Sequence, residues 1–257
     1  MILQHKDSPI YFSDQGKGTA IILLHGFLEN SSMWKRLAPK LAKKHRVICI
    51  DLLGHGDTAC IGYIHTMDEM ADAVQTVLNH LKIRRYYIVG HSMGGYVALV
   101  LAERLPDNIK GLVLMNSTTK PDSPERIALR NRAIEVVKQN YETLVTMSIA
   151  NLFRPENTEK FADEIEWLKQ EALRTPLQGY IAAQEGMKIR QDLDVLLHFS
   201  PYKKMIIYGL NDPVLDPKSI IQQTLNTEVK LVELPDGHMS YIENESEVLQ
   251  ELMHFIE

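Results

Sequence analysis

The chain has 257 residues, 45% of them hydrophobic and 24% charged, and a formal net charge of −5. That suits one large α/β domain, or one domain carrying an insertion, with a sizeable core. The absence of any basic run argues against nucleic acid as a partner, and no apolar stretch approaches membrane-spanning length.

Charge and proline in MILQHKDSPI stand where a secretory apolar region would lie, and Cys49 and Cys60 are the only cysteines. A cytoplasmic protein with free thiols and no obligate protein partner is therefore expected.

In chain order, residues 2–5 and 9–12 read as an edge hairpin. Thr19 to Leu24 is the first uninterrupted apolar run, followed at once by His25-Gly26-Phe27. Ser31 or Ser32 is the predicted cap of a helix containing Met33, Trp34, Leu37 and Leu41. Arg46 to Ile50 is a second buried strand, left by the loop Asp51-Leu52-Leu53-Gly54-His55-Gly56-Asp57. Thr66-Met67-Asp68-Glu69 has the form of a capping box, and the apolar stripe Met70, Val74, Val77, Leu78 and Leu81 predicts the helix behind it.

Tyr86 to Gly90 then reads as a strand and Met93 to Leu105 as a helix stopped by Pro106. Between them lies Gly90-His91-Ser92-Met93-Gly94, a G-x-S-x-G turn. This is the setting of a nucleophile elbow, where a strained turn lifts a serine hydroxyl clear of the sheet. Side chains at 90 and 94 would collide with neighbouring backbone.

Lys110 to Asn116 continues the alternation, which then breaks. Ser123-Pro124 opens a helix, Leu144 to Phe153 and Phe161 to Leu173 suggest two more, and no strand is evident before Lys204 to Gly209 and Glu228 to Leu234. A closing helix carries Val248, Leu249, Leu252, Phe255 and Ile256. The prediction is an α/β fold: a mostly parallel eight-stranded sheet with helices on both faces. Residues 1–118 and 201–257 form its core, and 119–200 a helical cap inserted after the sixth strand.

A serine needs a base, and the base an acid to orient it. In open α/β sheets these collect where strands end. Asp212 follows one late strand in Gly209-Leu210-Asn211-Asp212, and His238 the other in Asp236-Gly237-His238. Asp236 is too near His238 in sequence to reach its outer nitrogen easily, so Asp212 is the predicted acid. His25, His55 and His91 sit in glycine-flanked loops near the same edge; His5, His45, His65, His80, His198 and His254 are expected to be solvated.

The ordered set His25-Gly26-Phe27, Asp51-x-x-Gly54-His55-Gly56, Gly90-His91-Ser92-Met93-Gly94-Gly95, Gly209-x-x-Asp212 and Gly237-His238-Met239 resembles the α/β-hydrolases, specifically small capped esterases, over essentially the full length. Gly186-Met187-x-x-Arg190-x-Asp192 resembles a segment common in these enzymes. The resemblance implies an oxyanion hole from the backbone N–H groups of Phe27 and Met93. It implies hydrolysis of a small carboxylic ester or thioester. The sequence shows no metal-ligand cluster, phosphate loop or dinucleotide fingerprint, so no cofactor and no metal is expected. The same site would also serve carbon–carbon bond hydrolysis, a lyase step, perhydrolysis or ligand sensing. Tyr96 stands near where a lyase relative often carries Arg, and Ser at the nucleophile position speaks against haloalkane dehalogenation. Leu28, Met147, Phe153, Met187 and Met239 are the candidate pocket residues.

Overall fold

The structure, a computed structural model, describes all 257 residues. The apolar runs become eight strands: β1 (Ile2–His5), β2 (Ser8–Gly16), β3 (Ala20–Leu24), β4 (Arg46–Ile50), β5 (Tyr86–His91), β6 (Ile109–Met115), β7 (Lys203–Gly209) and β8 (Lys230–Leu234). They form one sheet in the order β1-β2-β4-β3-β5-β6-β7-β8. Only the β1–β2 and β2–β4 pairings are antiparallel.

Strand periodicity assigns each residue to a face. On β3, Ile22 and Leu24 join one apolar core while Ile21 and Leu23 join the other, and β4 divides Ile48 and Ile50 from Val47 and Cys49 in the same way. Both faces are therefore dry and need helical cover. On the first face lie α2 (Met67–His80) and α3 (Met93–Arg104); on the second, α1 (Ala38–Leu41) and α11 (Glu245–Ile256). No helix is long and apolar enough to cross a membrane.

The α2 start matches its reading, with Thr66 and Glu69 exchanging side-chain and backbone bonds. The first helix does not. Residues 31–35 form a 3-10 turn capped by Asn30, whose side chain accepts from Ser32 N–H at 2.9 Å. Asn30, one position earlier than the serines, leaves the chain extended and aims its carbonyl back at the turn.

Between β6 and β7 lie five helices: α4 (Pro124–Val137), α5 (Tyr141–Ala150), α6 (Ala162–Leu173), α7 (Leu177–Lys188) and α8 (Val195–Phe199). The α4 start has Ser123 as cap and Pro124 in the first turn. These helices pack closely on the rest. His65 N–H donates to Ala182 O of α7 at 2.9 Å, and a Cβ on Gly186 would overlap the His65 carbonyl. His65, expected to be solvated, is in fact completely buried here, and His5 is buried against Thr76 of α2. Four helices escaped the sequence reading: α7 and the short α8, α9 (Pro217–Gln223) and α10 (Ser240–Glu243).

Candidate active site

Ser92 sits between β5 and α3 at φ 48° and ψ −116°, a region that side-chain-bearing residues rarely adopt. Its backbone is held there on both sides: Ser92 N–H donates to Met115 O at 2.9 Å, and Ser92 O accepts from Gly95 N–H and Ser117 Oγ. The flanking glycines are sterically required. A Cβ on Gly90 would overlap the Gly94 carbonyl, and one on Gly94 would run into the carbonyls of Leu24 and His25. The sheet thus fixes the hydroxyl at its carboxyl edge.

His238 and Asp212 arrive on the loops after β8 and β7. His238 Nε2 lies 2.9 Å from Ser92 Oγ, and its Nδ1 lies 2.8 Å from Asp212 Oδ2. The carboxylate also accepts from Asn116 Nδ2 at 3.0 Å and from the N–H groups of Val214 and Leu215 at 2.7 and 3.0 Å. Burial opposes its charge, but His238, Asn116 and the Val214 N–H together hold its carboxyl below the usual range. An ionised Asp212 only accepts, so Nδ1 of His238 carries the proton and Nε2 is left to accept from Ser92. Asp236 is engaged elsewhere, by Asn244 Nδ2 at 2.9 Å and Arg154 Nη1 at 3.4 Å.

The Gly26–Glu29 loop faces Ser92. The N–H groups of Phe27 and Met93 bond to no other protein group, and Met93 opens the 12-residue α3, where the dipole favours negative charge. His25 holds this loop: its Nε2 accepts from Leu52 N–H at 2.8 Å and its Nδ1 donates to Gly26 O at 2.7 Å. Burial keeps His25 neutral and pushes neighbouring His55 down to about 3, so the loop rests on two uncharged rings.

A second buried pair was not foreseen. His91, beside Ser92, lies 2.8 Å from Glu29 Oε2 through Nδ1 and 3.0 Å from the His238 carbonyl through Nε2. A carboxylate and a carbonyl accept, so both ring nitrogens donate and His91 is an imidazolium. Glu29 accepts further from Gly26 N–H at 2.6 Å and Tyr241 OH at 3.0 Å. Burial opposes both charges. The pairing outweighs it, lowering the Glu29 carboxyl and raising His91 above 6.5. One pair thus ties the Gly26–Phe27 turn, the elbow and the His238 loop together. The one sequence signal for it was a Glu in an apolar turn next to His25-Gly26-Phe27.

The pair's stability has a defined pH window. His91, with its value raised, contributes fully below 6.5, and the contribution is lost as pH rises through its folded value; Glu29, depressed below 4.5, loses its part as pH falls through its own. Glu29→Gln is therefore expected to cost roughly 3 kcal/mol in urea unfolding at pH 6 and distinctly less at pH 9. An equal cost at both pH values would mean that His91 is uncharged.

A cavity of about 260 Å³ opens over Ser92 and His238. The loop residues Phe27 and Leu28 line it from one side, and α4, α5 and α7 from the other, through Leu129, Ile149, Tyr180 and Met187. Of the candidate pocket residues, Leu28 and Met187 therefore face it. Three do not. Met147 is 58% exposed on the outer side of α5; Phe153 is buried against Phe161; Met239 is packed in the core beneath the His238 loop. No three His, Cys, Asp or Glu side chains converge as a metal site.

The model of the alpha/beta hydrolase fold matches residues 19–245. The chain belongs to the α/β-hydrolase fold family. Among structures of this family it superposes on a thermophilic esterase from Thermogutta terrifontis (malate bound) with a TM-score of 0.91 and 30% identity, covering 97% of this chain and 93% of that one. It is similar to the pimeloyl-[acyl-carrier protein] methyl ester esterase of Nitrosomonas europaea, 26% identical over 91% of this chain and 94% of the relative. It is 29% identical, over 93% of its length, to the dihydrolipoyllysine-residue acetyltransferase component of the acetoin cleaving system of Pseudomonas putida. It spans only 64% of that protein, and 31% of an uncharacterised Mycobacterium tuberculosis protein that it matches.

Proposed function

We propose that this α/β-hydrolase is a serine esterase that cleaves a small carboxylic ester or thioester through an acyl-enzyme. The observation that carries the reading is the unbroken relay from Asp212 through His238 to Ser92, facing two unengaged N–H groups. His238 takes the Ser92 proton as Oγ attacks the acyl carbon, and the oxyanion forms against Phe27 and Met93. His238 then protonates the leaving alcohol or thiol, and water reverses the sequence. Asp212 keeps the imidazole in the tautomer that can accept.

In this reading residues 119–200 are a cap over a core made of 1–118 and 201–257. The Leu152 carbonyl accepts from His238 N–H at 2.9 Å, and Glu243 accepts from both Gly237 N–H and Arg154 N–H at 3.0 Å. Such ties favour a cap that shapes the pocket over one that swings freely. A cavity of about 260 Å³ suits a short acyl group. The unpaired thiols of Cys49 and Cys60 fit a cytoplasmic setting.

A panel of p-nitrophenyl esters of two to ten acyl carbons tests this. The expected result is a burst of about one p-nitrophenolate per chain, then turnover favouring the short esters. Met187→Ala should shift the optimum to longer chains by about tenfold in kcat/KM, while Met147→Ala should leave it in place. Reaction with Ser92-directed probes but no turnover of any ester would instead make the chain a ligand sensor.

A further inference from the structure

We infer that the ester cleaved here carries a second, anionic group, a carboxylate, held by Arg126 on α4. This rests on the esterase reading and names its substrate class. Arg126, Leu129, Arg130 and Ala133 all line the cavity over Ser92, and their spacing puts them on one face of α4. The face pointed at the chemistry therefore carries two guanidinium groups one turn apart.

The charge around them does not balance. Arg126 is half-buried and forms no ion pair; its side chain makes one hydrogen bond, a donation from Nη1 to the Val214 carbonyl at 3.3 Å. Four of its five N–H donors remain unused. Arg130 donates to Asp122 and, at 2.7 Å, to Gln184 Oε1. Asp122 also serves Arg190, so one carboxylate meets two guanidinium groups. The only carboxylate lining the cavity is Glu29, which His91 already neutralises.

A partly desolvated cation without a counter-ion is unfavourable unless a ligand completes it. The protein as a whole carries −5, so it repels anions except where a local surplus of this kind draws them in. The planar fork of Arg126 matches a carboxylate through two parallel N–H···O bonds. A monoanionic carboxylate, rather than a dianionic phosphate, suits a single free guanidinium in a lining that is otherwise mostly apolar.

The test compares monoethyl succinate with ethyl 4-methylpentanoate, in which an isopropyl group replaces the carboxylate at nearly the same shape. The native enzyme should prefer the half-ester at least tenfold in kcat/KM, chiefly through KM. Arg126→Gln should cut that preference about tenfold, and raising NaCl to 1 M should weaken it in the native enzyme. Equal use of the two esters by the native enzyme, or a ratio untouched by Arg126→Gln, overturns the inference. Succinate and inorganic phosphate are then compared as competitive inhibitors: stronger inhibition by phosphate overturns the carboxylate assignment. Calorimetric titration with succinate reads the subsite without catalysis. Should neither ester turn over, binding that Arg126→Gln abolishes upholds the subsite while the esterase reading fails; no binding sinks both.

Discussion

Ser92→Ala is expected to lower ester turnover by on the order of 10⁶-fold, the scale seen when the nucleophile of a serine hydrolase is removed. The substitution keeps the Cβ, so the strained backbone at φ 48° and its bonds to Met115, Gly95 and Ser117 are undisturbed. Only the hydroxyl that faces His238 is lost. The melting temperature should stay within a few degrees of the native value while turnover vanishes. A residual rate within tenfold of native would move the chemistry away from the elbow.

Asp212→Asn should cost about 10⁴-fold in kcat. An amide NH₂ in place of Oδ2 forces Nδ1 of His238 to accept, which puts the ring proton on Nε2, facing Ser92. The base is then blocked although the geometry is kept. Asp236→Asn should cost less than about tenfold, because that carboxylate holds Arg154 and Asn244 rather than the imidazole. Parallel kinetics on the two variants decide the acid, and the opposite ranking would assign that role to Asp236.

What could be read from the residues follows from how local each signal is. The strands after Ala20, Arg46, Tyr86 and Ile109 are short apolar runs buried on both faces, so composition alone marks them. The starts of α2 and α4 are legible because capping is a matter of three or four consecutive residues. The elbow is legible for the same reason: its glycines answer to backbone a few residues away or on the adjoining strand.

The rest is set by contacts distant in sequence. Glu29 and His91 are 62 positions apart, and Asn116 and Asp212 are 96 apart; neither partner announces the other. Asn116 does follow the end of β6, at the same sheet edge as Ser92, which was the available clue. Three of the five pocket readings failed for a related reason. Helix α5, YETLVTMSIA, is apolar on most sides, so its pattern cannot say that Ile149 faces the cavity and Met147 the solvent. The cap of the first turn was misplaced by one or two residues because Asn30, Ser31 and Ser32 are all good capping residues, and only the backbone angles choose among them.

We propose Ser92 as the nucleophile of a covalent acyl transfer. The most direct test is to treat the native protein with a fluorophosphonate, measure the intact mass, and locate the adduct by peptide mass spectrometry. One adduct per chain is expected, on Ser92, absent from Ser92→Ala and formed far more slowly by His238→Ala. An adduct on another residue, or none on a folded native protein, would contradict it.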